Sequence, residues 1–207
     1  MPLDTVIFDY GGVLTLQPRE DHLSRTAELL ELSPQEVKQR TGQFRRIYDR
    51  GAIDGAEYWR LMSGSSDPLP SEIVSELVAV DVDSWTQPNE QTLALARELK
   101  AQGVTLGLLS NMQPDCLAHI REHFDWLSLF DGAVYSCEVD LTKPEPKIYH
   151  LALDRLGASP DRAAFIDDTW ENVEAAERVG IRGILFESAS ALRATLAGEL
   201  SLPAREA

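Results

Sequence analysis

The sequence predicts an α/β fold: a doubly wound parallel sheet interrupted by an inserted helical bundle. Two observations predict the sheet and a third the insertion. Short β-rich runs alternate with amphipathic helical stretches, as strand–helix–strand units require. Most of those runs are apolar at consecutive positions, the mark of strands covered on both faces. After the first run, an interval of roughly 70 residues shows helical periodicity and no convincing strand.

The expected strands cover residues 5–8, 104–109, 132–135, 163–166 and 181–186. A helix over 89–102 sets Leu93, Ala96 and Leu99 on one face and ends at Gly103. Helices over 145–156 and 170–179 end at Gly157 and Gly180, glycine being favoured just past a helix because it adopts positive φ without steric cost. Inside the insertion, Leu23, Ala27 and Leu30 form one stripe. Ser33-Pro34-Gln35-Glu36 reads as a capping box with proline at the first helical position, and Val37, Phe44, Ile47 and Tyr48 continue that helix. Asp54-Gly55-Ala56-Glu57 repeats the capping pattern before Tyr58, Leu61 and Met62. A loop rich in Ser, Gly and Pro follows over 63–70, then a helix marked by Ile73, Leu77 and Val80. Pro18 and Pro88 lie near the junctions, so the expected division is 1–15 with 88–207 for the sheet and 16–87 for the helical insertion. The tail from Gly198 is expected to fray.

With 207 residues, 43% of them hydrophobic, the chain can bury a core and wholesale disorder is excluded. A formal net charge of −15 argues against nucleic acid and against an anionic membrane surface. It leaves a small-molecule partner, and an anionic one only through a local cation. The start of the chain shows neither a basic n-region nor a signal-peptide apolar stretch, and no run approaches bilayer length, so a cytoplasmic monomer or homodimer is expected. Cys116 and Cys137 have no metal or redox spacing and read as free core thiols.

The chemistry-bearing residues recur at strand ends, where open parallel sheets bind ligands. Asp9 breaks an apolar run and precedes Tyr10-Gly11-Gly12; it reads either as a site carboxylate or as a turn residue. Ser110-Asn111 offers an oxyanion cradle or an ordinary helix cap. Lys143, in a loop stiffened by Pro144 and Pro146, is a site cation or a surface lysine. The adjacent carboxylates Asp167 and Asp168 repel unless a cation compensates them; the alternative is a solvated acidic turn. Asn172, four residues beyond Asp168 on a helix, is placed to orient a ligand.

Taken in order, Ile7-Phe8-Asp9-Tyr10-Gly11-Gly12-Val13-Leu14, Leu109-Ser110-Asn111, Lys143-Pro144-Glu145-Pro146-Lys147-Ile148-Tyr149 and Phe165-Ile166-Asp167-Asp168 resemble the four motifs of the haloacid dehalogenase-like hydrolase superfamily. The insertion resembles its small helical cap placed after the first motif, and Arg50-Gly51-Ala52-Ile53-Asp54 resembles the cap of its sugar-phosphate phosphatases. The resemblance implies a Rossmann-like core and a Mg²⁺-dependent phosphatase of a small phosphorylated metabolite. It implies Asp9 as the nucleophile that forms an aspartyl-phosphate. It implies Mg²⁺ on the Asp9 carboxylate, the Gly11 carbonyl and Asp168, with Asp167 and Asn172 in support. Ser110, Asn111 and Lys143 are implied for the phosphoryl group, Lys143 also as a catalytic residue.

One departure matters. Phosphatases of the superfamily usually carry an acidic residue two positions after the nucleophile as general acid; here that position is Gly11. A missing general acid costs about 10²–10⁴ in rate. Either the substrate has a good leaving group, or another group or water supplies the proton, or catalysis is poor. Two further readings follow. One is a metal-independent 2-haloacid dehalogenase, which Leu109-Ser110-Asn111-Met112-Gln113-Pro114 also resembles. The other is a non-catalytic phosphate-binding protein on the same scaffold. His119-Ile120-Arg121-Glu122-His123 matches a zinc-protease pattern, but with no clear third ligand it reads as an amphipathic helix with Ile120 and Phe124 inward. Arg45, Arg46, Tyr48, Trp59 and Trp85 are candidates to face the substrate's far end, although aromatic residues at such positions also serve as core.

Overall fold

A computed structural model describes residues 2–200. Strands β1 (Thr5–Phe8), β2 (Thr105–Ser110), β3 (Gly132–Tyr135), β4 (Ala163–Asp167) and β5 (Arg182–Leu185) form one sheet in the order β3-β2-β1-β4-β5. Every adjacent pair is parallel. All four residues of β1 and all five of β4 are buried, as expected of central strands covered on both faces, the polar Thr5 and Asp167 included. The expected strands are all present, with ends shifted by a residue. Asp167 closes β4 rather than following it, and its carbonyl accepts from Phe186 N at 2.9 Å.

The insertion folds as four helices: α1 (Glu20–Leu30), α2 (Pro34–Asp49), α3 (Gly55–Ser63) and α4 (Ser71–Ser84). Ser33 and Glu36 form the reciprocal capping box that starts α2, and the Asp54 side chain accepts from Glu57 N at the start of α3. These helices share their own core of Ala27, Leu30, Val37, Tyr48, Tyr58, Trp59, Met62 and Leu77. Tyr48 and Tyr58 stack with ring centroids 4.4 Å apart. Tyr48 and Trp59 are therefore packing residues.

The remaining helices are α5 (Glu90–Ala101), α6 (Pro114–His123), the short α7 (Ser136–Val139), α8 (Pro146–Leu156), α9 (Trp170–Arg178) and α10 (Ala189–Leu196). Side chains alternate across the sheet with period two. Val6, Phe8, Leu106, Leu108, Ala164 and Ile166 meet α5, α6 and α10 on one face. Ile7, Leu109, Val134, Ala163 and Phe165 meet α8 and α9 on the other. The doubly wound α/β architecture is thus present, with β1 central. Ile120 is buried and Phe124 packs against the same core, as expected for α6.

The tail does not fray at Gly198. Leu3 pairs with Leu200, and Leu3 N donates to the Glu199 carbonyl at 2.8 Å, which ties the chain down to Leu200; residues 201–207 lie outside the described ones. Cys116 and Cys137 are both free. No helix among the described residues is long and apolar enough to cross a membrane.

Candidate active site

The sheet order puts the ends of β2, β1 and β4 side by side, and those three ends carry Ser110, Asp9 and Asp167-Asp168. They open on a cavity of about 310 Å³, within the size range of small-molecule sites. Asp9, Gly11, Ser110, Asn111, Lys143, Asp168 and Asn172 all line it. Asp167 lies directly beneath, fully buried.

Lys143 holds the centre. Its ammonium is buried and lies 2.6 Å from Asp9 Oδ1 and 2.7 Å from Asp167 Oδ2. Burial opposes its charge, but Asp167 and Asp9 outweigh that and hold its pKa above the ordinary lysine value. The loop reaches this position because the Asn111 side chain grips the Lys143 backbone. Asn111 Oδ1 accepts from Lys143 N at 2.8 Å and Asn111 Nδ2 donates to Lys143 O at 3.0 Å. The amide of Asn111 is thereby committed to Lys143. The Ser110 hydroxyl makes only a long 3.4 Å bond, to Asn111 O.

Asp9 N donates to Ile166 O at 2.8 Å, continuing the sheet, and Asp9 Oδ1 also accepts from Tyr10 N at 2.7 Å. Oδ2 has no hydrogen bond among the described residues. Burial, and Asp167 beside it, push the Asp9 carboxyl up to about 8 against the pull of Lys143. Asp167 is saturated: besides Lys143 it accepts from Thr169 N at 2.8 Å and from Asn172 Nδ2 at 3.1 Å. Asn172 therefore acts on Asp167. Asp168 is half-buried, contacts Gln17 Nε2, and is raised by burial and by Asp167. Asp9, Asp167 and Asp168 each offer an oxygen within 4.8 Å of the others, the one such cluster among the described residues. His119 and His123 stack at 4.1 Å, and among the described residues they belong to no cluster of three metal ligands.

Gly12 has φ of +74°, and a Cβ there would strike the Asp168 carboxylate and the Gln17 amide, so glycine is required. At Gly11 the reason is different. Its φ of −71° and ψ of 131° suit any residue, but a Cβ would lie 2.9 Å from the Trp85 ring. The Trp85 indole occupies the space that a side chain at position 11 would use.

The helical module reaches the cavity through Arg45, Asp49 and Trp85. Arg45 binds Asp49 Oδ1, Asp81 Oδ1 and Gln113 Oε1, each at 2.7 Å, and Gln113 Nε2 binds Asp81 Oδ2 at 2.7 Å. Arg46 instead docks outside the cavity on Thr142 Oγ1 at 3.1 Å and Glu145 Oε1 at 3.0 Å. Asp49 and Gln17 fall in none of the sequence motifs, and Gln113 enters them only within the dehalogenase-like stretch, with no role of its own. Gln113 lies just past Ser110-Asn111, at the N-cap of α6, and that position is the one signal that could have flagged it.

The family model described as haloacid dehalogenase-like hydrolase matches residues 3–180. The chain belongs to this family. Among curated relatives of the hydrolase, a sesquiterpene phosphatase of Aspergillus oryzae is 31% identical over 86% of this chain and 87% of its own length. Bifunctional epoxide hydrolase 2 of Rattus norvegicus is 30% identical over 93% of this chain, which spans only 38% of that larger protein. The structure of a HAD family enzyme from Bacteroides thetaiotaomicron, in complex with magnesium and inorganic phosphate, superposes with a TM-score of 0.75 at 22% identity, covering 92% of this hydrolase and 98% of that chain.

Proposed function

We propose that this hydrolase is a Mg²⁺-dependent phosphatase of a small phosphorylated metabolite, working through an aspartyl-phosphate on Asp9. The observation that carries the reading is the convergence of Asp9, Asp168 and the buried Lys143 on one cavity. The names of the Aspergillus relative and the magnesium–phosphate complex support it.

The donor set fits a hard divalent cation. Asp9 and Asp168 bring carboxylate oxygens, Gly11 lines the same cavity, and Lys143 alone leaves the three acidic groups under-compensated. Mg²⁺ there would act as a Lewis acid on phosphoryl oxygens. Lys143 neutralises the transferring group and holds Asp9 Oδ1, which aims Oδ2 at phosphorus. Ser110 supplies a hydroxyl donor, and Asn111 contributes by fixing Lys143. Asp167 and Asn172 hold the lysine from below. The insertion acts as a cap over the leaving group, with the Trp85 face suited to a hydroxylated ring such as a sugar's. A metal-free dehalogenase has no need for three clustered carboxylates, which argues for phosphoryl transfer.

The test is phosphate release from a panel of sugar 1-phosphates, sugar 6-phosphates, nucleotides and p-nitrophenyl phosphate, with and without Mg²⁺. Asp9→Asn runs beside it with circular dichroism as a fold check. Release that needs both Mg²⁺ and Asp9 supports the reading. No release from any ester by folded protein in saturating Mg²⁺ would overturn it, and chloride release from a 2-haloacid would replace it with the dehalogenase.

A further inference from the structure

We propose that Asp49 is the proton donor to the leaving-group oxygen, taking the place of the acid that Gly11 cannot supply; this rests on the phosphatase reading. In-line transfer puts the leaving oxygen on the side of phosphorus away from Asp9. Asp9, Lys143 and Asp168 enter the cavity from the sheet edge, so the leaving oxygen faces the helical module. Asp49 is the one carboxyl of that module lining the cavity among the described residues. Asp81 lies behind it with both oxygens bound by Arg45 and Gln113. The other donors nearby are spent or too weak. Tyr10 OH donates to Trp85 O at 2.9 Å, and burial pushes the Cys116 thiol up to about 12.

Asp49 is built to keep its proton. Arg45 holds Oδ1, and among the described residues Oδ2 has no hydrogen bond. Asp49 is the last residue of α2, at the negative end of the helix dipole, where a carboxylate is disfavoured. The charged groups around it are Arg45 on α2, Asp81 on α4 and Lys143 from the sheet edge, with the Cys116 and Cys137 thiols near. Burial is the largest effect and raises its pKa, against the pull of Arg45. Its position is fixed by the core: Ser136 Oγ donates to the Asp49 carbonyl and accepts from Met112 N at 2.8 Å, which ties the end of α2 to the loop after β2.

In the transfer step, the bond from Asp9 Oδ2 to phosphorus forms as the bond from phosphorus to the ester oxygen breaks. The Asp49 Oδ2 proton passes to that oxygen, and Arg45 neutralises the remaining carboxylate. Asp49 then takes a proton from the water that hydrolyses the aspartyl-phosphate, which restores the starting state.

The experiment compares kcat/KM of the full chain, Asp49→Asn and Asp49→Glu on an alkyl phosphate and on p-nitrophenyl phosphate, in saturating Mg²⁺. This constant covers binding and the transfer to Asp9 and leaves out hydrolysis of the aspartyl-phosphate. A general acid serves the poor alkoxide leaving group and is almost idle for nitrophenolate. Asp49→Asn should therefore lose about 10²–10⁴-fold on the alkyl ester and no more than about threefold on the aryl one. Asp49→Glu, which keeps a carboxyl, should recover at least tenfold of the alkyl loss. Equal losses on both esters, or no loss on either, would overturn the assignment. A wild-type chain inert toward every ester would instead overturn the phosphatase reading, and this assignment with it.

Discussion

Asn111 closes on the backbone of Lys143 with both atoms of its amide, at 2.8 and 3.0 Å, across 32 positions of sequence. The pair converts a loop lysine into a fixed charge, because the amide satisfies the backbone donor and acceptor on either side of the Lys143 Cα. Asn111→Ala removes both bonds and leaves the loop to shift. Displacing a catalytic group by about 1 Å costs on the order of 10²-fold. The expected result is a fall of that size in kcat on p-nitrophenyl phosphate, with stability lowered by about 1–3 kcal/mol in urea unfolding. Unchanged kcat would remove Asn111 from the site's support.

Lys143 is also a structural cation, since its ammonium separates two buried carboxylates. Removing one partner of a buried ion pair strands the other charge and costs about 3–5 kcal/mol. Lys143→Met, which keeps much of the stem, is expected to abolish phosphatase turnover and to lower stability by an amount in that range at pH 8. At pH 5 the loss should shrink, because the Asp9 carboxyl, pushed up by burial, is protonated there and no longer a stranded charge. Guanidinium melts at the two pH values check this; equal losses at both would contradict it.

The sheet and the strand-end residues were readable because apolar runs make a carboxylate at their end conspicuous. Asp9 and Asp167 stand out against Val6-Ile7-Phe8 and Ala164-Phe165-Ile166. The capping signals of α2 and α3 were local; the box of α2 forms reciprocally, whereas at α3 only the Asp54 half forms and the Glu57 carboxylate turns to Arg60. Asp49 was not readable. It lies among Arg45, Arg46 and Arg50 on an amphipathic helix, where charges are ordinary surface residues, and only the docking of α2 on the loops after β2 and β3 turns it toward the cavity. Tertiary contact also decided the role of Asn111, whose partner Lys143 is set by the fold, and tied down the tail at Leu200 through its pairing with Leu3. Local periodicity carries no information on such pairings.

The Asp9 carboxyl gives a signed pH dependence in metal-free protein. Its folded pKa, about 8, lies above the unfolded value. Between the ordinary carboxylate range and pH 8 the folded state holds more protons than the unfolded one, so stability falls as pH rises through that window. Mg²⁺ favours the ionised carboxylates and opposes the loss. Thermal melts in chelator should show Tm decreasing from pH 5 to pH 8, and the rise in Tm on adding Mg²⁺ should be larger at pH 8. Asp9→Asn should flatten the metal-free slope. A Tm that rises with pH over this range would refute the argument.

Gly11 and Trp85 form the last testable pair. Backbone conformation does not demand glycine at position 11, because its φ of −71° and ψ of 131° are open to any residue. The constraint is the indole: a Cβ would meet Trp85 ring carbons at 2.9 and 3.1 Å. Gly11→Ala should therefore destabilise by overpacking, about 1–3 kcal/mol. Trp85→Leu removes the obstructing ring and at the same time costs packing against the sheet core. If the clash is the cause, Gly11→Ala should cost much less in the Trp85→Leu background, a coupling of about 0.5–3 kcal/mol in a double-mutant cycle from urea titrations. Additive effects would mean that the glycine is kept for another reason, such as close approach of a ligand to its carbonyl. In that case the single Gly11→Ala variant should lose affinity for Mg²⁺, which calorimetric titration would detect, while remaining as stable as the parent.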